Sequence, residues 1–132
     1  MATSNPVLSE KLKEFFTNLR KEVPDIMGLA LVSSDGRIIE HDWRAQDMEP
    51  DKVGAIASTL LGFGKKTIEI LSTGKFLQVL LQSTDATIGV YSAGPRLVLI
   101  VSMKQSGNVG ILNLQSRKKA AEISVLFQNE EV

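Results

Sequence analysis

The sequence predicts one α+β domain in which three helices cover both faces of a five-stranded antiparallel sheet. Helical apolar patterns occur near the beginning, in the middle and near the end of the 132-residue chain. Five short runs between them alternate or are continuously apolar, as strands do. Two of these runs are apolar on both sides, so the sheet needs cover on both faces. We expect the order helix, two strands, helix, three strands, helix, in a three-layer sandwich with the terminal helices on one face.

Composition narrows the classes of function. Apolar residues make up 43% of the chain and the formal net charge is zero, so the chain is neither a disordered tail nor a polybasic nucleic-acid binder. It contains no cysteine, which excludes disulfides and cysteine-based metal or catalytic sites. The N-terminal residues lack the order of a secretion signal, and no apolar run approaches the roughly 20 residues of a membrane span. We therefore expect a single domain, residues 1–132, that works in the cytoplasm.

The first third of the chain predicts a helix followed by a hairpin. Asn5 before Pro6 is typical of a helix start, and Pro24 ends the helical pattern. Two strand-like runs, residues 26–33 and 37–43, then flank an Asp-Gly turn. The first run is apolar on both sides and should be a central strand, whereas the second alternates and suits an edge.

The segment from Pro50 to Gly74 predicts a long helix with two apolar stripes. One stripe, which we assign to the chain's own sheet, contains Val53, Ile56, Leu60, Phe63, Thr67 and Ile70. The other lies about 100° further round and contains Ala57, Leu61, Gly64, Ile68 and Leu71. Gly62 and Gly64 each cost about 1 kcal/mol against alanine inside a helix, so we expect a close backbone approach there. We assign the second stripe to a homodimer interface.

The remainder predicts a three-strand meander and a last helix. Runs at residues 75–83, 87–93 and 96–103 are separated by turns, and the last of them is apolar on both sides and should be central. Residues 75–83 suit an edge or interface strand. The final helix should extend from about Asn108 to Phe127.

Several segments together resemble the Roadblock/dynein light chain family. They are GLALVSSDGRII at residues 28–39, the small-residue-rich middle helix closing on TGKF at residues 73–76, the three-strand meander, and NVGILNLQSRKKAAEI at residues 108–123. The resemblance extends from about Ser9 to Phe127, and it is closest to the prokaryotic, MglB-like branch that regulates Ras-like GTPases. It implies a profilin-like fold and a homodimer in which the middle helices and edge strands of both subunits meet.

The resemblance also implies a role without chemistry of its own, in which the dimer docks on a small Ras-like GTPase as an activator or an adaptor. If the middle helix meets its twin along the second stripe, a polar line on the same helix borders a groove on the dimer surface. This candidate docking line contains Lys52, Thr59, Lys65, Lys66 and Glu69. A plain solvated helix face is an equally good interpretation of these residues.

No residue pattern supports catalysis, a cofactor or a metal. The only histidine, His41, lies on a predicted edge strand, where surface histidines are common. Asp47, Glu49 and Asp51 are typical of a solvated loop and a helix start. The glycine-rich run at residues 62–67 lacks the first glycine and the Ser/Thr of a phosphate-binding loop, and no strand precedes it.

Three other interpretations stay open. Arg44 and Arg96 lie in or near predicted turns, from which an arginine can reach a phosphate of a bound GTPase, although a solvated loop arginine is the commoner case. A small-molecule sensor domain would need an internal cavity with convergent polar groups. A structural adaptor in a larger assembly would need no GTPase at all.

Overall fold

A computed structural model describes residues 5–43 and 49–128, and it confirms the predicted order of elements. The elements are α1 (Pro6–Glu22), β1 (Ile26–Ser33), β2 (Ile38–Trp43), α2 (Pro50–Leu71), β3 (Val79–Gln82), β4 (Ala86–Ser92), β5 (Leu97–Lys104) and α3 (Val109–Leu126). The strands form one antiparallel sheet in the order β2-β1-β5-β4-β3. As predicted, β1 and β5 are central, and β2 and β3 are the edges.

Local sequence sets the ends of the helices. The Asn5 side chain accepts hydrogen bonds from the backbone N–H groups of Val7 and Leu8, at 3.0 and 3.2 Å, and so caps α1. Asn108 caps α3 in the same way, through Ile111 N–H at 2.9 Å. The middle helix ends three residues before the predicted Gly74, because Ser72 adopts a left-handed conformation with φ +53°.

The first apolar core lies between the sheet and the two terminal helices. It combines Leu8, Leu12, Phe16 and Leu19 of α1 and Leu112, Ala120 and Ile123 of α3 with sheet residues such as Leu29, Leu31, Tyr91, Leu99 and Val101. Helices α1 and α3 also contact each other. The terminal helices therefore share one face of the sheet.

The second core lies on the opposite face, under α2. It contains Ala57 and Leu61 of the helix together with Ala30, Val32, Ile38, Val90, Val98 and Ile100 of the sheet. Neighbouring residues of the central strand β5 point into different cores, Leu99 into the first and Ile100 into the second. This is why β5 is apolar along both of its sides. None of the helices within the two described ranges is long and apolar enough to cross a membrane.

Candidate interaction surface on the middle helix

The side of α2 that faces the sheet is the one we had assigned to a partner. Gly54, Ala57 and Leu61 are the buried residues of this helix, with Ala57 at 0% and Leu61 at 6% exposure. Both side chains belong to the second core. The prediction that Ala57 and Leu61 lie at a dimer interface is therefore wrong, because the chain's own sheet covers them.

Small residues explain why this side of α2, and not the other, packs on the sheet. A β-carbon at Gly54 would lie 2.2 Å from the carbonyl oxygen of Gly36, in the β1–β2 turn. One at Gly64 would lie 2.6 Å from Cγ2 of Val79 on β3. The absence of side chains at these two positions lets α2 pack closely on its own sheet. The sequence had indicated a partner helix at Gly62 and Gly64 instead. Gly62 is different, because a β-carbon there would have no described neighbour within 4 Å.

The other predicted interface residues lie where cover by the sheet ends. Gly64 and Ile68 are half-buried, and Leu71 is exposed. After Gly64, which lies over the edge strand at Val79, no residue of α2 is buried. The described part of the chain therefore covers the last two turns of the helix only in part.

A continuous apolar stripe faces outward from α2. Ile56, Phe63 and Ile70 follow one another at intervals of seven residues, or two helical turns, and are exposed to 53, 73 and 68%. Leu60 and Thr67 border them and are half-buried. These residues make up most of the stripe that we had assigned to the core. We call Ile56, Phe63 and Ile70 the outward stripe. Its lack of small residues is the sequence signal that could have identified it as the side facing away from the sheet.

The edge strand β3 adds a second uncovered feature. It pairs with β4 from Val79↔Val90 to Gln82↔Thr87 and with no other described strand. Its sequence, VLLQ, carries neither a charge nor a proline, the two features that usually protect an edge. Leu81 of the strand is exposed to 46%, and Leu77, two residues before the strand, to 58%. The strand thus offers open backbone groups and apolar side chains together.

The five candidate docking residues are all exposed, but they do not form one line. Lys52, Thr59 and Lys66 follow the outward stripe at two-turn intervals on its solvent side. Lys66 lies 3.6 Å from Glu69, and Lys52 lies 3.3 Å from Glu49. Lys65 instead lies on the opposite flank of the helix. Its Nζ donates to Oγ of Ser92, at the end of β4, at 3.2 Å.

The remaining sequence candidates do not assemble into a reactive site. His41 is exposed on the edge strand β2, and residues 62–67 are entirely helical, so they form no phosphate-binding loop. Arg44 and Asp47 lie outside the described residues. The described ranges hold no group of three or more His, Cys, Asp or Glu side chains placed to bind a metal. Arg96 lines a surface cavity of about 290 Å³ beside the β4–β5 turn, together with Phe127 and Gln128.

Comparisons with known proteins agree with this architecture. The model of the Roadblock/LC7 domain matches residues 12–102. An MglB protein in a tetrameric arrangement is 14% identical, covers 97% of this chain and 95% of its own, and has a TM-score of 0.83. The gliding protein MglB from Thermus thermophilus is 13% identical, covers 97% of this chain and 96% of its own, and has a TM-score of 0.82. A sequence comparison with curated proteins found no match.

A more distant structural likeness supports the fold class. LokiProfilin1, solved in complex with rabbit actin, is 13% identical over 89% of this chain and 97% of its own, with a TM-score of 0.54. At such identities a structural likeness shows the fold, and it confirms the profilin-like class. Because the family model matches more than half of the sequence, the chain belongs to the Roadblock/LC7 domain family.

Proposed function

We propose that this protein is a non-catalytic homodimeric module that binds a small Ras-like GTPase in the cytoplasm. The observation that carries the proposal is the outward stripe of α2 beside the unprotected edge strand β3. Membership of the Roadblock/LC7 family and the likeness of the fold to MglB proteins support it. The role is either activation of GTP hydrolysis or that of an adaptor.

The outward stripe supplies the energetic reason for dimerisation. Ile56, Phe63 and Ile70 are each more than half exposed, and they lie along one line of the helix. Full burial of one such side chain contributes about 1.5–3 kcal/mol, so three from each subunit provide a substantial driving force. Contiguous apolar surface of this kind marks an interaction site on a soluble protein.

The edge strand would determine how the two subunits align with each other. Two copies of β3 that pair through their free edges would continue the sheet from one subunit into the other, with main-chain hydrogen bonds between VLLQ segments. The partly covered end of α2, with Ile68 and Leu71, begins where the helix passes over β3 at Val79. A second subunit at this edge would cover the end of the helix and the strand together.

The GTPase is proposed to dock beside this interface. Lys52, Thr59 and Lys66 border the outward stripe on its solvent side, so in a dimer they would line the margin of a groove between two α2 helices. Their mixed charges, with Glu69 next to Lys66, suit a polar rim around an apolar centre. Lys65 faces the end of β4 and is the weakest member of the docking set.

The experiment separates dimerisation from docking. The protein is tested for retention of a Ras-like GTPase from the same genome, loaded with GDP or with a non-hydrolysable GTP analogue. We expect retention that depends on the nucleotide. The double variant Lys52→Glu/Lys66→Glu should stay dimeric by light scattering but lose retention, because it reverses two exposed charges at the proposed rim. Equal retention of both nucleotide forms, or of the double variant, would remove the docking half of the proposal.

The sensor alternative receives less support. It predicted an internal cavity with convergent polar groups, whereas the cavity beside the β4–β5 turn borders solvent at Pro95, Arg96 and Gln128. No observation favours it over the dimeric module.

A further inference from the structure

A second apolar stripe lies on the other side of the molecule, on the outward face of α3. Ile111, Leu114 and Val125 are exposed to 43, 57 and 68%. Lys118 and Ala121 are also exposed and fall between them at helical spacing. The inward face of the same helix carries the buried Leu112 and Ile123 among others, so the core does not need the outward residues. We call Ile111, Leu114, Lys118, Ala121 and Val125 the α3 stripe.

Lys118 is the uncompensated charge in this stripe. The nearest acidic residue on the helix, Glu122, lies one turn away, and its carboxylate lies 2.9 Å from Nζ of the buried Lys119. Glu22 of α1 approaches the same Lys119 nitrogen, at 3.8 Å. No ion pair of Lys118 is found within residues 5–43 and 49–128. The α3 stripe therefore presents an unpaired cation among apolar side chains.

The position of Lys118 disfavours a second copy of this chain as the occupant. Lys118 is seven residues from Ile111 and seven from Val125, at the centre of the stripe. In a two-fold antiparallel pair, Ile111 would meet Val125 of the other copy, and the two Lys118 side chains would meet each other. Like charges at the centre of an apolar contact are costly, so self-association of this face is disfavoured.

A membrane is also a poor match. The exposed surface of the neighbouring α1 carries Glu10 and Glu14 beside Lys13 and Lys21. With two carboxylates and two ammonium groups, this surface has no net charge and does not attract an anionic lipid surface. Helices that lie on membranes instead carry a strongly basic polar face.

We propose that the α3 stripe docks an amphipathic helix of a different protein, whose apolar stripe carries a carboxylate near its centre. The apolar residues of the partner would pack on Ile111, Leu114 and Val125, and its carboxylate would pair with Lys118. Such helix-on-helix docking uses anchors at three- and four-residue spacing, as the α3 stripe provides. The stripe lies across the sheet from α2, so this proposal does not rest on the proposed dimer or on GTPase binding.

The test uses two synthetic fluorescein-labelled helical peptides with leucines at heptad spacing. The central polar positions are glutamate in one peptide and lysine in the other. In fluorescence anisotropy with the full chain, we expect the glutamate peptide to bind about tenfold tighter or more, which corresponds to ~1.4 kcal/mol. Added salt should reduce this preference. Lys118→Glu should reverse it, and Leu114→Ser should weaken binding of the glutamate peptide about tenfold by the same conversion. The matched control Val7→Ser removes a similarly exposed apolar side chain from α1, at 65% against 57% for Leu114, and should leave peptide binding unchanged.

Four outcomes would overturn the proposal. The first is equal affinity of the wild-type protein for both peptides. The second is loss of peptide binding in Val7→Ser but not in Leu114→Ser, which would place the peptide on α1. The third is a smaller assembly for Leu114→Ser than for the wild type in light scattering, which would make a second copy the occupant. The fourth is sedimentation with phosphatidylserine vesicles that Lys118→Glu abolishes, which would make a membrane the occupant.

Discussion

Gly64 of α2 lies directly over Val79 of the edge strand β3, where a β-carbon on Gly64 would stand 2.6 Å from Cγ2 of Val79. This close approach sets where the helix crosses the edge of the sheet. Before the crossing, α2 buries Gly54, Ala57 and Leu61; after it, no residue of the helix is fully buried. The glycine thus serves the fold of the monomer.

The outward stripe should control the oligomeric state. We expect Phe63→Glu to be folded but monomeric in light scattering at micromolar concentration, because an unpaired charge at the centre of an apolar dimer contact carries a large desolvation cost. Val125→Glu is the matched control, since Val125 is exposed to 68% and Phe63 to 73%. This control should remain dimeric. A dimeric Phe63→Glu would show that the outward stripe is not the interface.

Leu61→Glu should unfold the protein instead of dissociating it. Leu61 is 6% exposed and packs in the second core, so a carboxylate there would be buried without a partner. We expect a loss of about 4 kcal/mol or more in the free energy of unfolding, enough to unfold a domain of ordinary stability. Circular dichroism during urea titration measures this effect. A cooperatively folded, monomeric Leu61→Glu would restore our original assignment of the stripes.

Two glycines of α2 should respond in opposite directions to alanine. Gly62→Ala should raise the free energy of unfolding by about 1 kcal/mol, because alanine is the better helix former and its methyl group meets no described neighbour. Gly54→Ala should lower it, because the methyl group would overlap the Gly36 carbonyl oxygen. Urea titrations of both variants supply the comparison. Equal effects would mean that Gly54 has no special packing role.

Tyr91 should make the protein less stable at high pH. Burial raises the pKa of Tyr91 from 10.0 to about 12, and its hydroxyl donates to Oδ1 of Asn113 at 2.7 Å. The neutral phenol is thus favoured in the folded state, and its contribution is complete below pH 10. Between pH 10 and about 12 the unfolded chain loses this proton first, so the free energy of unfolding falls, by about 2–3 kcal/mol in total at ~1.4 kcal/mol per pKa unit.

The measurement is unambiguous because Tyr91 is the only tyrosine in the chain. Tyrosinate absorbance of the folded protein should therefore titrate near pH 12, and that of the denatured protein near pH 10. Tyr91→Phe should show a smaller loss of stability over this range than the wild type, because it lacks the buried phenol. A folded-state midpoint near 10 would contradict the burial argument.

Much of the fold was predictable because its signals are local. Asn5 and Asn108 begin helices by capping backbone N–H groups, and the Asp-Gly turn at residues 35–36 closes the first hairpin. The continuously apolar β1 and β5 identified the centre of the sheet. The edge strand was harder to delimit. Residues 75–83 were predicted as a strand, but the ladder with β4 includes only Val79–Gln82.

The candidate site was predictable only in part. The sequence indicated that α2 has more apolar surface than one sheet face can cover, and the exposed Ile56, Phe63 and Ile70 agree with that surplus. It did not indicate which stripe faces the sheet. We placed Gly62 and Gly64 at a partner, whereas Gly64 meets the chain's own Val79 and Gly62 meets no described neighbour.

The order of the elements, the starts of the helices and the family of the chain could be predicted from the sequence, because caps, turns and apolar periods depend on neighbouring residues. The rotation of α2 about its own axis is set by its packing on the sheet. Both stripes satisfy the same helical period, and local propensity does not distinguish two apolar faces about 100° apart. That choice depends on the space above the sheet, where only Gly54 and Gly64 allow the helix to come close to the β1–β2 turn and to β3.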